Sequence, residues 1–251
     1  MKEAVEEQIQ RYMVLRWLRK NYFSGLLVCL IAFSLGGLSY FFAFSGFELG
    51  TFIIQPLAEI SVIVQLTYIV VFFLLISIPI ALGSTTFFLF GLQGKNWRIH
   101  DLLFAFKSSN YWRGMLIQSV RYLIVFSIVL IPVVGFIFVG VPQSNWFILF
   151  MIACVAPIYY KYRFTAYVFI ETPQLDLKKN FKRSAYLTDG VKWRLFVIDL
   201  SFMALFFVGS RFFGIGGLLV TPYYEAFVAN YYLNLCERKN IGGSVEVTAD
   251  E

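Results

Sequence analysis

LKKNFKRSAYLTDG (177–190), KWRLFVIDLSFMALFFV (192–208), GIGG (214–217) and LLVTPYYEAFVANYYLNL (218–235) are the pieces whose reading decides the fold. The first is basic and amphipathic, with Leu177, Phe181 and Ala185 at helical spacing and Lys178, Lys179, Lys182 and Arg183 between them. Asp176 stands where a helix N-cap belongs, and Gly190 where a helix stops. The second and fourth are apolar runs, about 194–209 and 218–235, joined by a glycine-rich turn. They are too uniformly apolar to be half-wetted helices, so the stretch reads as a surface helix followed by a transmembrane hairpin.

The rest of the chain repeats that grammar. Of its 251 residues 59% are hydrophobic, 20% aromatic and 14% charged. Soluble domains are about a quarter charged, so lipid has to serve as part of this protein's solvent. Further apolar runs cover about 22–44, 60–82, 115–140 and 146–170. Each is long enough, at ~1.5 Å per residue, to cross most or all of a ~30 Å hydrocarbon core. Pro79 is expected to kink the second, which has the option of continuing towards Phe90, and Pro132 with Gly135 to break the third. Val5, Ile9, Tyr12, Met13 and Trp17 predict an interfacial helix before the first run, and Ile99, Leu102, Leu103 and Phe106 predict another before the third. Tyr159, Tyr160 and Tyr162, interleaved with Lys161 and Arg163, read as an interface anchor belt. The first run is too long for the core of a signal peptide and is read as retained. The expected architecture is one all-α integral membrane domain over 1–251, with six spans, three interfacial helices and a disordered tail at 237–251.

Charge orients it. Five lysines and arginines precede the first run, five lie from Lys95 to Arg121, eight from Lys161 to Arg194 and two in the tail. The first and third loops have none, and Arg211 stands alone in the fifth. The positive-inside rule then puts both termini in the cytoplasm. The net charge of +6 is accounted for by topology and by anionic lipid head groups, with Lys178, Lys179, Lys182 and Arg183 the main patch. Nucleic acid is not needed as a partner. A membrane-protein partner is left open.

Asn21-Tyr22-Phe23-Ser24-Gly25-Leu26-Leu27 lines up with Asn110-Tyr111-Trp112-Arg113-Gly114-Met115-Leu116, and Trp112-Arg113 with Trp193-Arg194. Two accounts fit: three parallel units of surface helix plus hairpin, or interface chemistry that favours Trp, Tyr and Arg at every inner boundary. Asp199 lies inside a span and needs a partner. Arg121 is expected to pair with it, with Gln118 and Asn230 at similar depth. Such a cluster either fastens spans three, five and six or binds an ion, proton or polar head group. Glu225 is the second acid, with Arg211 and Glu59 as candidate neighbours. His100 is the only histidine, Cys29, Cys154 and Cys236 are scattered, and no nucleophile–base or acidic metal pattern occurs. The expectation is a non-enzyme without cofactor or metal.

Phe181-Lys182-Arg183-Ser184 through Asp189-Gly190, Trp193-Arg194-Leu195-Phe196, Asp199-Leu200-Ser201-Phe202, Gly214-Ile215-Gly216, Pro222-Tyr223 and Tyr231-Tyr232 together resemble the bacterial integral membrane proteins catalogued as domain of unknown function 975. The resemblance implies a six-pass protein of the bacterial plasma membrane and brings no activity, cofactor or catalytic residue. Two function classes follow. One is a non-enzymatic scaffold or accessory factor working through helix and anionic-lipid contacts. The alternative is a small transporter or permeation pathway using Asp199, Arg121 and Glu225. A water-accessible cavity at Asp199 or Glu225 favours the second, close packing the first.

Overall fold

A computed structural model describes residues 12–34, 71, 73–95, 99–106, 108–139, 155–210 and 215–239. The first eleven residues, the loops at 45–59 and 140–145, most of the second span's expected first half, Glu59, Arg211 and the tail beyond 239 lie outside them. Every regular element among the described residues is helical. In chain order these are α1 (residues 12–34), a π-helical turn (Phe73–Ser77), α2 (Ile78–Leu92), a 3₁₀ helix (Ile99–Phe106), α3 (Ser108–Val139), α4 (residues 155–161), α5 (Thr165–Glu171), α6 (Leu177–Thr188), α7 (Lys192–Ser210) and α8 (Ile215–Arg238).

α1 departs from expectation by running unbroken through the boundary foreseen between an interfacial helix and a span. No glycine or proline stands between Tyr12 and Ser24, and the Asn21 side chain, which otherwise competes with helix, donates to the Trp17 carbonyl at 3.1 Å. Val14, Leu18, Val28 and Cys29 form its buried face, while Phe23, Leu27, Leu30 and Phe33 are exposed.

α2 is apolar on all sides and central, packing on the 3₁₀ helix, α3, α5 and α8. Its hydroxyls are folded back onto its own backbone: Ser84 and Thr85 donate to the Ala81 carbonyl and Thr86 to that of Leu82. Pro79 falls in the first turn of α2, where a missing N–H costs least, and the disturbance appears just before it as the π-helical turn. Pro79 cannot donate to the carbonyl four residues back, that of Leu75, and the Tyr111 hydroxyl fills that carbonyl at 3.0 Å. Helix α2 also outruns the expected end at 82, continuing to Leu92.

The segment 99–106 does not lie apart as an amphipathic α-helix. It is a 3₁₀ helix whose three-residue repeat puts Leu102 and Ala105 on one buried face. The Leu102 carbonyl oxygen comes so close to α2 that a Cβ on Gly83 would sit 2.0 Å from it. Helix α3 starts at Ser108, earlier than expected, and passes through Pro132 and Gly135 without a break. The opposite error occurs at 146–170, where the described part is two helices, α4 and α5, separated at Tyr162–Phe164.

Phe88 and Leu89 of α2, Phe164 beside α5, Phe169 and Ile170 of α5, and Tyr232 of α8 form the deepest part of the core. The Tyr232 ring stacks on Tyr167 at 5.1 Å and tilts against Phe164 at 5.4 Å. Such aromatic pairs contribute about 0.5–1.5 kcal/mol each beyond their buried area. The periphery is apolar too: Trp112, Leu123 and Phe126 on α3, and Trp193, Met203 and Phe207 on α7, are mostly exposed.

Candidate functional site

The break between α4 and α5 builds the site. In an uninterrupted helix the Thr165 N–H would bond the Lys161 carbonyl; here it turns to the Tyr162 carbonyl at 3.4 Å. The freed Lys161 carbonyl accepts from Ser184 Oγ at 3.3 Å and Thr188 Oγ1 at 3.1 Å, both on α6. With its amide turned so that the nitrogen donates to the Thr165 carbonyl and the oxygen accepts from the Phe169 N–H, each at 3.2 Å, Asn180 completes the same row. Asn180, Ser184 and Thr188 are four residues apart, fully buried, and form a polar stripe along α6.

This corrects the reading of α6 in three ways. Its buried face pairs Phe181 and Leu187 with that polar stripe, instead of running along Leu177, Phe181 and Ala185; Phe181 packs edge-on against Tyr162 at 5.1 Å. Lys178, Lys179 and Lys182 are exposed as expected, but Arg183 turns inward to Glu171 at 3.9 Å. Asp176 occupies the N-cap position without a side-chain cap. Gly190, at φ +77°, ends the segment as foreseen.

The break also aims Arg163 at Asp199. Nη1 of Arg163 meets Asp199 Oδ2 at 2.6 Å and Nη2 meets Oδ1 at 3.0 Å, a bidentate pair. Tyr160 of α4 donates to Oδ2 and Tyr224 of α8 to Oδ1, both at 3.0 Å. Each carboxylate oxygen therefore holds two donors. Tyr224 in turn accepts from Arg163 Nη2, and Tyr159 from Nη1 at 3.3 Å. The Arg163 side chain is 6% exposed and that of Asp199 22%. Three tyrosine rings, those of Tyr159, Tyr160 and Tyr224, lie within 5.8 Å of the guanidinium carbon. One ion pair thus joins α4, α7, α8 and the α4–α5 turn.

The expected partner, Arg121, is elsewhere. It contacts Gln118 one turn back on α3 at 3.4 Å and lies over Tyr122 and Tyr159 at 5.8 and 5.7 Å. It meets the Asp199 cluster only through the Tyr159 ring, which Arg163 faces at 5.7 Å. Gln118 and Asn230 are buried, but neither bonds Asp199; Asn230 sits six residues past Tyr224, about 9 Å along α8. Glu225 follows Tyr224 on α8 but is not among the groups hydrogen-bonded to Arg163 or Asp199. Arg163 was legible only as an interface anchor, because nothing local in Tyr160–Thr165 marks a break.

A second carboxylate was missed. Glu171, at the end of α5, accepts from Gln93 Nε2 at 3.0 Å and from the Tyr232 hydroxyl at 2.7 Å, besides facing Arg183. It ties the ends of α2, α5, α6 and α8. Among the described residues no three His, Cys, Asp or Glu side chains gather as a metal would need.

Fold and site define an all-helical protein whose helices are fastened by two half-buried carboxylates. Residues 139–239, which contain both acids and every motif quoted for the resemblance, match the family described as "Protein of unknown function (DUF975)". The resemblance is borne out over that segment. No curated protein and no solved structure matches the chain.

Proposed function

We propose that this is a six-pass protein of the bacterial plasma membrane, both termini cytoplasmic, acting as a non-enzymatic scaffold or accessory factor through helix and anionic-lipid contacts. The observation that carries the scaffold reading is the filled valence of Asp199: two guanidinium and two phenol donors leave its oxygens no open position for cargo. An acid held in that way is a fastener. Support for a lipid setting comes from the apolar outer faces of α1, α3 and α7. Leu74–Leu92 is, among the described residues, the one helix that meets length and composition criteria for a span.

Contacts at matched positions favour three parallel hairpin units. Tyr22 and Tyr111, equivalent in the repeat, each donate at 3.0 Å to a backbone carbonyl three or four residues before a helix proline: Leu219 before Pro222, and Leu75 before Pro79. Gly25 and Gly114, also equivalent, each face an aromatic ring of their own hairpin, Phe88 or Phe169, and a side chain of the preceding hairpin's second helix, Pro222 or Leu82. Taken cyclically, the first and second units each lean on the one before. Interface chemistry alone does not supply this pattern, since it says nothing about partners.

Purification of the full chain in mild detergent tests the function. A scaffold retains a membrane-protein partner in fixed ratio, and proteoliposomes of the chain alone pass no ions or small solutes. The transporter reading is favoured by one observation, a second acid, Glu225, next to Tyr224 on α8 but outside the Asp199 hydrogen bonds. Flux through proteoliposomes that Glu225→Gln abolishes would establish transport and overturn the scaffold.

A further inference from the structure

Along one side of α1, charged and apolar residues share a single exposed stripe. Tyr12, Leu15, Arg16 and Arg19 lead into Phe23, Leu27, Leu30 and Phe33 at helical spacing, and all are exposed. Beside the first part of that stripe is an open groove of about 610 Å³, lined by Tyr12, Leu15, Leu18 and Tyr22 of α1 together with Tyr223 of α8. The groove wall is overwhelmingly apolar, yet Arg16 and Arg19 are among the residues that line it. Neither Arg16 nor Arg19 has an acidic partner among the described residues. Tyr22 is held in place by its bond to the Leu219 carbonyl, so α1 and α8 form a fixed pair of walls.

An apolar trough lined by two arginines that have no acidic partner among the described residues is complementary to a molecule with a hydrocarbon body and an anionic head. Guanidinium recognises phosphate through two parallel N–H donors, which an ammonium cannot offer. The uninterrupted course of α1 matters here. Had the helix bent at Lys20, Arg16 and Arg19 would leave the line of Phe23 and Leu27, and head and tail contacts would fall on different surfaces. We propose that this groove binds one anionic phospholipid, with its phosphate on Arg16 and Arg19 and an acyl chain running past the rings of Tyr22 and Tyr223 towards Phe23 and Leu27. The proposal rests on the membrane reading above and adds a discrete site to it, separate from the lysines of α6.

The test titrates dioleoyl phosphatidylglycerol, or the zwitterionic phosphatidylcholine of the same chains, into the full-length protein in mild detergent and counts bound lipids by native mass spectrometry. Three variants are compared: Arg16→Gln/Arg19→Gln, Leu15→Trp, which fills the trough and keeps both charges, and Lys178→Gln/Lys179→Gln/Lys182→Gln. The wild type should hold one phosphatidylglycerol in preference to phosphatidylcholine. The arginine variant should bind it about 30-fold more weakly, from ~1 kcal/mol per basic residue at ~1.4 kcal/mol per decade. Leu15→Trp should also lose it, and the lysine variant should stay within about threefold of wild type. Unchanged binding in the arginine variant, an equal loss in the lysine variant, or equal affinity for phosphatidylcholine overturns the site. Release of the wild-type chain from its native membranes by alkaline carbonate would instead overturn the membrane reading. Retention in the membrane without lipid preference would sink the groove alone.

Discussion

Replacing Arg163 by methionine keeps most of the side-chain volume and removes the guanidinium from Asp199. The acid then retains only the Tyr160 and Tyr224 hydroxyls, one per oxygen, and loses contacts of 2.6 and 3.0 Å. Two charge-assisted hydrogen bonds contribute roughly 1.5–3 kcal/mol each, and stripping one partner from a buried pair costs about 3–5 kcal/mol. Asp199→Leu is the harsher single change, because it leaves Arg163 charged at 6% exposure with only tyrosine hydroxyls to face. The double variant removes both charges and should recover much of the loss, since an apolar replacement of a buried pair is often near neutral. At ~2–4 °C per kcal/mol for a chain of this size, each single variant should lower the apparent melting temperature in detergent by about 6–20 °C. The double should fall well short of the sum, with a coupling of at least ~2 kcal/mol. Arg121→Met combined with Asp199→Leu is the control and should be additive within about 0.5 kcal/mol, because Arg121 reaches the cluster only through Tyr159. Additive losses for Arg163 and Asp199, or a strong coupling of Asp199 to Arg121, would refute the assignment.

Gly83→Ala places a Cβ 2.0 Å from the Leu102 carbonyl oxygen, so the 3₁₀ helix has to move and stability should drop by about 2 kcal/mol or more; Gly94→Ala, at φ +71° with nothing within 4 Å, should cost only about 1–2 kcal/mol, both read by thermal unfolding. Ser184→Ala with Thr188→Val strips the Lys161 carbonyl of both side-chain donors and should cost about 1–3 kcal/mol, whereas Ala185→Ser on the neighbouring, partly exposed position should stay within ~0.5 kcal/mol. Reporter fusions after Gly50 and Asn145 should read as external and those after Gly94 and Asp176 as internal; an internal signal at Gly50 defeats the six-pass topology.

Much of this protein is legible one residue at a time. Apolar excess, helical spacing and the lack of strand alternation give the all-α class, and Gly190 marks the end of α6, because these signals depend on a residue and its near neighbours on the same helix. The segment carrying the family resemblance is likewise the one the family model matches. The partners of the acids were not legible. Depth along a span pointed Asp199 to Arg121, and a periodic pattern assigned Arg163 to the surface. What reverses both is the break at Tyr162–Phe164, and its cause is remote: the hydroxyls of Ser184 and Thr188, more than twenty residues on, take the carbonyl that the unbroken helix would have used. The same competition hides the role of α6, whose buried stripe of Asn180, Ser184 and Thr188 looks in sequence like part of a solvated face. A helix's own period is written locally. Which of its backbone groups can be surrendered depends on what tertiary packing brings to replace them.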